Sequence, residues 1–103
     1  MEKKEAVTKF DALASELRLD IVKLLVQFGE DGLVAGEMSS QLDIPPTNLS
    51  FHLKTLTHAG LVYVEQEGRY QRYRANTSAL MGLVEYLMEK CCDKQTKAKT
   101  GLC

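Results

Sequence analysis

The chain has 103 residues, 45% of them hydrophobic and 26% charged, with a net charge of −1. That length holds one core and not two, and the composition excludes a disordered polyelectrolyte. It also argues against a protein that coats nucleic acid through overall basicity, because acids and bases nearly cancel. The opening Met1-Glu2-Lys3-Lys4-Glu5 is charged and leads into no apolar core segment. No apolar run approaches the roughly 18 residues a membrane span needs, so a cytoplasmic location without membrane contact is expected.

Val7, Phe10, Leu13 and Ala14 recur at helical spacing and predict a first helix over residues 4–14. Ser15 suits the N-cap of a second helix, with Glu16 in its first turn. Leu17, Ile21, Leu24, Leu25 and Phe28 form that helix's core stripe, and Gly29 closes it. Gly29 to Gly32 predict a turn, and Leu33-Val34 a brief strand. Ala35 to Leu42 predict a short third helix, stopped at Asp43-Ile44-Pro45 because a residue before proline avoids the helical region. Pro46 suits the first turn of a fourth helix, with Leu49, Leu53 and Leu56 as its buried stripe and Ala59-Gly60 as its stop. Helix, tight turn, helix is the layout that sets a second helix into the DNA major groove.

Leu61-Val62-Tyr63-Val64 and Arg69 to Ala75 flank the turn Glu65-Gln66-Glu67-Gly68 and predict a two-stranded hairpin, a wing. Thr77 or Ser78 is expected to cap a last helix that runs to about Cys92, with Leu80, Leu83, Val84, Leu87 and Met88 along one side. No internal repeat is present. The expected fold is mainly α with a small β-hairpin, a winged helix-turn-helix of about five helices. A homodimer is expected, because a domain of this size gains stability from a large contact with a second copy. Residues 1–92 would form the DNA-binding and dimerisation domain, and residues 93–103 a polar, flexible tail.

The charges are unevenly placed. Seven acids lie within residues 1–31, none from Ile44 to Val64, and Arg69, Arg72 and Arg74 follow. With Leu49, Leu53 and Leu56 inside, the fourth helix presents Thr47, Ser50, Phe51 and Lys54, with Asn48 near its N-terminal end. Asn can pair bidentately with adenine, Ser and Thr can meet base edges or phosphates, Lys suits phosphate, and Phe51 suits a thymine methyl. His52, at the edge of the buried stripe, either orients the helix or reads a base. In the wing, Arg69 and Arg72 are candidates for backbone or minor-groove contacts, with Gln71 beside them. Tyr63, Tyr70 and Tyr73 are expected to pack, and Arg74 is left open. An ordinary solvated helix face is the competing reading, and the missing acids with the arginine-bearing hairpin favour double-stranded DNA as partner.

Leu49-Ser50-Phe51-His52-Leu53-Lys54-Thr55-Leu56, followed by His58-Ala59-Gly60-Leu61-Val62, resembles the recognition helix of the ArsR/SmtB metalloregulatory repressors. Gly68-Arg69 with Tyr73 is similar to that family's wing, and Ala14-Ser15-Glu16-Leu17-Arg18-Leu19-Asp20-Ile21 to its second-helix opening. The resemblance implies a dimer built largely by the first and last helices, which binds an imperfect inverted repeat and releases it when inducer binds.

Family members place their sensing ligands differently. The third-helix opening, Leu33 to Met38, has no cysteine, and no histidine follows His58. Cys91, Cys92 and Cys103 remain, and they resemble the C-terminal cysteine trio of a subgroup of arsenic repressors. That resemblance implies As(III) or Sb(III) as inducer and no organic cofactor. The chemistry agrees, since soft trivalent ions suit three thiolates whereas structural zinc takes four ligands. Adjacent residues on a helix point about 100° apart, so Cys91 and Cys92 can face one ion only if the last turn unwinds. Three alternatives stay open: cadmium or lead at the same thiolates; a thiol-redox sensor of the same fold, through a Cys92–Cys103 or Cys91–Cys103 disulfide; and incidental cysteines. Met81 and Met88 are better explained by packing than by ligation. No cysteine sits in a phosphate-cradling loop and no acid/base pair converges, so an enzyme is not expected.

Overall fold

A computed structural model describes residues 1–95. In chain order they form α1 (Lys3–Leu13), α2 (Glu16–Phe28), a 3₁₀ turn (Gly29–Asp31), β1 (Leu33–Val34), α3 (Ala35–Leu42), α4 (Pro46–His58), β2 (Val62–Glu67), β3 (Tyr70–Ala75) and α5 (Thr77–Met88). The result is a winged helix-turn-helix.

Local chemistry explains most boundaries. Ser15 is extended, and its Oγ accepts the Arg18 amide hydrogen at 3.3 Å, which satisfies one of the free donors at the start of α2. Replacing Ser15 by Ala is expected to cost about 1 kcal/mol, read as a lowered midpoint in urea; an unchanged midpoint would show that this bond adds nothing. Asp43 ends α3 in the left-handed region at φ 54°, and the Ser39 hydroxyl donates to the Ile44 carbonyl at 2.5 Å, which closes the turn. Pro46 then opens α4 at a position where its missing N–H is no loss.

The core lies where the three central helices meet the sheet. Ile21 and Leu25 of α2, Met38 of α3 and Leu49, Leu53 and Leu56 of α4 are buried against Leu33, Leu61 and Val62. The sheet order is β1-β3-β2, all antiparallel, so the brief strand expected at Leu33-Val34 becomes a third strand beside the hairpin. Gly32, at φ 59°, makes that approach possible: a Cβ there would collide with the Tyr73 carbonyl oxygen.

The structure departs from the sequence expectations in several places, among them Leu17 and Phe28 of the expected α2 stripe and Tyr63 and Tyr70 of the wing, which are exposed rather than packed. The hairpin is longer than expected, because Glu65, Gln66 and Glu67 pair with Arg72, Gln71 and Tyr70, and only Gly68-Arg69 form the turn. Neither Thr77 nor Ser78 caps α5. Asn76 does, its Oδ1 accepting from Ala79 N at 3.2 Å while its Nδ2 donates to the Gly60 carbonyl at 2.9 Å. Helix α5 ends at Met88, and residues 91–94 are turns rather than the helix's last coil. Finally, α1 buries Ala6 and Ala12, while Val7 and Phe10 of the predicted stripe stay exposed, as do Met81, Val84 and Leu87 of α5. Apolar residues at helical spacing show that a face wants cover but not which surface supplies it.

Candidate nucleic-acid interface and thiol pair

Helix α4 carries the larger part of the candidate interface. Its stripe at Leu49, Leu53 and Leu56 is buried, which leaves Thr47, Asn48, Ser50, Phe51 and Lys54 exposed on the other side; Phe51 is 69% accessible. An apolar ring so open beside hydroxyls and an ammonium suits a base edge better than bulk water. His52 is half-buried, with Nδ1 3.5 Å from Nη1 of Arg18, whose Nε donates to the Ala12 carbonyl at 2.6 Å. Arginine has no acceptor, so Nδ1 is the accepting nitrogen. His52 thus joins α4 to α2 and the end of α1, which favours the orienting role of the two open to it.

The wing supplies the rest. Side chains of a strand alternate between faces. Gln71 and Tyr73 of β3, with Val64 of β2, share a groove of about 420 Å³ with Ser50, Lys54, Thr57 and His58 of α4. The Tyr73 hydroxyl donates to Gln71 Oε1 at 3.2 Å, and partial burial pushes the phenol pKa up. Thr57, His58 and Tyr73 were not read as interface residues from the sequence. Strand alternation, which sets Tyr73 on the same face as Gln71, is the sequence signal that places it beside this groove. Arg69 lies at the exposed hairpin tip.

Arg72 and Arg74 occupy the opposite face. Arg72 Nε bonds Glu67 Oε1 at 2.9 Å and its Nη1 donates to the Asp31 carbonyl at 2.9 Å. The Glu67 hydrogen bond raises the Arg72 pKa above its usual value. Arg74 Nε donates to the Glu30 carbonyl at 2.6 Å, and its Nη1 meets Glu65 Oε1 at 2.8 Å.

Past α5, Cys92 adopts φ 61°, outside any helix. The Cys91 and Cys92 Sγ atoms lie 3.4 Å apart. An ion with metal–sulfur bonds of about 2.3 Å, taking two thiolates at roughly a right angle, needs its sulfurs about 3.3 Å apart, so the pair fits one soft ion. Cys91 is a free thiol and Cys92 is disulfide-bonded, so a thiolate pair requires reduction first. Among the described residues no three Cys, His, Asp or Glu side chains converge on a metal site. Cys103, the expected third ligand, lies outside the described residues.

Residues 13–65 match the model of a helix-turn-helix domain family. The arsenical resistance operon repressor of Bacillus subtilis (strain 168) is 32% identical over 95 residues, spanning 92% of this chain and 87% of that protein. The chain belongs to the ArsR family of helix-turn-helix transcriptional regulators. As an ArsR-family protein it is a DNA-binding regulator and not an enzyme. The ArsR relatives differ in their output. The transcriptional activator HlyU of Vibrio cholerae is 33% identical over 88 residues, 85% of this chain and 79% of that one. A solution structure of the homodimeric winged helix-turn-helix DNA-binding domain of a possible ArsR-family regulator from Mycobacterium bovis superposes with a TM-score of 0.68 at 25% identity. It covers 93% of this chain and 89% of that one. Among the described residues, no helix is long and apolar enough to cross a membrane.

Proposed function

We propose that the chain is a homodimeric repressor which holds an inverted-repeat operator and releases it when arsenite or antimonite binds Cys91, Cys92 and Cys103. The observation that carries this reading is the 3.4 Å sulfur pair in the unwound turn that follows α5. The similarity to the arsenical resistance operon repressor of Bacillus subtilis supports it.

Thr47, Asn48, Ser50, Phe51 and Lys54 meet the major groove, His52 orients their helix, and Arg69 and Gln71 meet the flanking backbone or minor groove. The open apolar faces of α1 and α5 form the seam between subunits. A trivalent soft ion supplies three strong bonds to sulfur when present. Once Cys92 is reduced, Cys91 and Cys92 lose their protons on binding, and the turn holding them tightens directly behind the seam. A strained seam changes the spacing of the two recognition helices. A coupling of about 1–3 kcal/mol then suffices for a 5–150-fold loss of affinity.

A second reading is a redox sensor of the same fold, with the same seam as its output; the disulfide bond at Cys92 supports it. One titration separates the two. The reduced protein on its operator is treated with arsenite, then separately with peroxide, and release is followed by fluorescence anisotropy. Release by arsenite, lost in Cys91→Ser while DNA binding persists, is the expected result. Release by peroxide alone would establish the redox reading, and loss of DNA binding in Cys91→Ser itself would make that cysteine structural.

A further inference from the structure

We infer that Arg72 and Arg74 are positioning residues that clamp the wing to the 3₁₀ turn after α2, and that neither contacts DNA. The inference rests on the interface described above and reassigns one of its expected members, Arg72.

Strand pairing separates two faces of the hairpin. Val64 stands opposite Tyr73 and Gln66 opposite Gln71, on the side that shares a groove with α4. Glu65 stands opposite Arg72 and Tyr63 opposite Arg74, on the other side. Each arginine there makes the same two-part contact. One bond goes to a wing carboxylate, Glu67 for Arg72 and Glu65 for Arg74, and one to a backbone carbonyl of the turn, Asp31 or Glu30. Their side chains are only 28% and 18% accessible although they sit on a surface hairpin.

A guanidinium so held is a poorer phosphate ligand than a free one, since its Nε and Nη1 already donate within the protein and a neighbouring carboxylate offsets its charge. It is a good strut, because the planar fork fixes the angle between the groups it joins. Gly32 completes the joint, as it lets the turn lie directly against the β3 backbone at Tyr73. The wing therefore leaves the domain at an angle set by these contacts. That angle places Gln71 and Arg69 relative to α4.

The test uses the full chain and a duplex it selects from a random-sequence library. Arg72→Gln should weaken binding about fivefold, the scale of one half-exposed ion pair. Because no phosphate contact is lost directly, the slope of log affinity against log salt should change by much less than the ~0.9 expected for each neutralised phosphate. Glu67→Gln should also weaken binding, because it cuts the same strut from the other end. If Arg72 instead bound phosphate, Glu67→Gln would free it and tighten binding, and Arg72→Gln would flatten the slope by that full amount. Either result overturns the proposal.

A second arm needs no DNA. Arg74→Gln should speed amide hydrogen exchange where β1 meets β3, at Leu33 and Tyr73, and unchanged exchange there also overturns it. Should the unaltered chain select no duplex, the fault would lie with the α4 interface, and exchange alone would decide the clamp.

Discussion

Ser50→Glu is expected to abolish operator binding while leaving the fold unchanged. Ser50 is exposed near the middle of α4, borders Thr47, Phe51 and Lys54 on one side, and faces Gln71 and Tyr73 of the wing across the shared groove. No acid occurs between Ile44 and Val64, so a carboxylate there would be the first negative charge on α4 itself, on the face proposed to meet phosphate. Like-charge juxtaposition at an interface costs several kcal/mol, so the affinity should fall on the order of 100-fold or more. The same exchange on a solvated helix face changes stability by about 0.5 kcal/mol or less, so the thermal midpoint should barely move. Anisotropy titration with a parallel melt reads both numbers. Affinity retained within a few-fold would place the reading face elsewhere on the helix.

The second large effect is expected from Val84→Asp. Val84 is 52% accessible, and Met81 and Leu87 beside it on α5 are 56% and 65% accessible, with Val7 of α1 at 59%. Six exposed apolar residues on two adjacent helices, Phe10 and Met88 included, are more than a lone domain ordinarily shows to water. In the proposed dimer they meet their own copies about a two-fold axis, so one aspartate is buried twice without a partner. Sedimentation should show monomers at concentrations where the unaltered chain is dimeric. Operator affinity should fall by about 10²-fold or more, because each half-site is then bound without the avidity of the other. A monomeric unaltered chain would remove the seam from the account altogether.

Most of the architecture was legible before any coordinates because its signals are local. A serine cap, a proline at the first turn of α4, leucines spaced every three or four residues and a glycine after α2 each act within one turn of chain. What was misread depends on partners far away in sequence. Glu65-Gln66-Glu67 has the composition of a turn, yet it is held in a strand by arginines on β3 and a carbonyl ladder. The end of α5 carries no glycine or proline before Cys91, so nothing local announces that the helix stops at Met88. Asn76 was overlooked as a cap because two hydroxyl residues follow it directly, and its advantage is a second bond to Gly60 that only the tertiary fold supplies.

The candidate site divides in the same way. The exposed residues of α4 follow from one helical period and a known buried stripe. The role of Arg72 does not, because a basic residue in a wing looks the same in sequence whether it faces a phosphate or a backbone carbonyl. Only strand register, set by Val64 opposite Tyr73, tells which face it occupies.

Among the described residues, every fully buried side chain is apolar. Folding therefore requires no interior group to gain or lose a proton, and the linkage that makes many proteins fail in mild acid has no foothold in this core. Among the described residues, acidity, oxidants and thiophilic ions meet their targets outside that core, at the wing's ion pairs, the His52–Arg18 contact, the open helix faces and the sulfurs beyond Met88. A scaffold indifferent to such agents leaves its periphery free to respond to them.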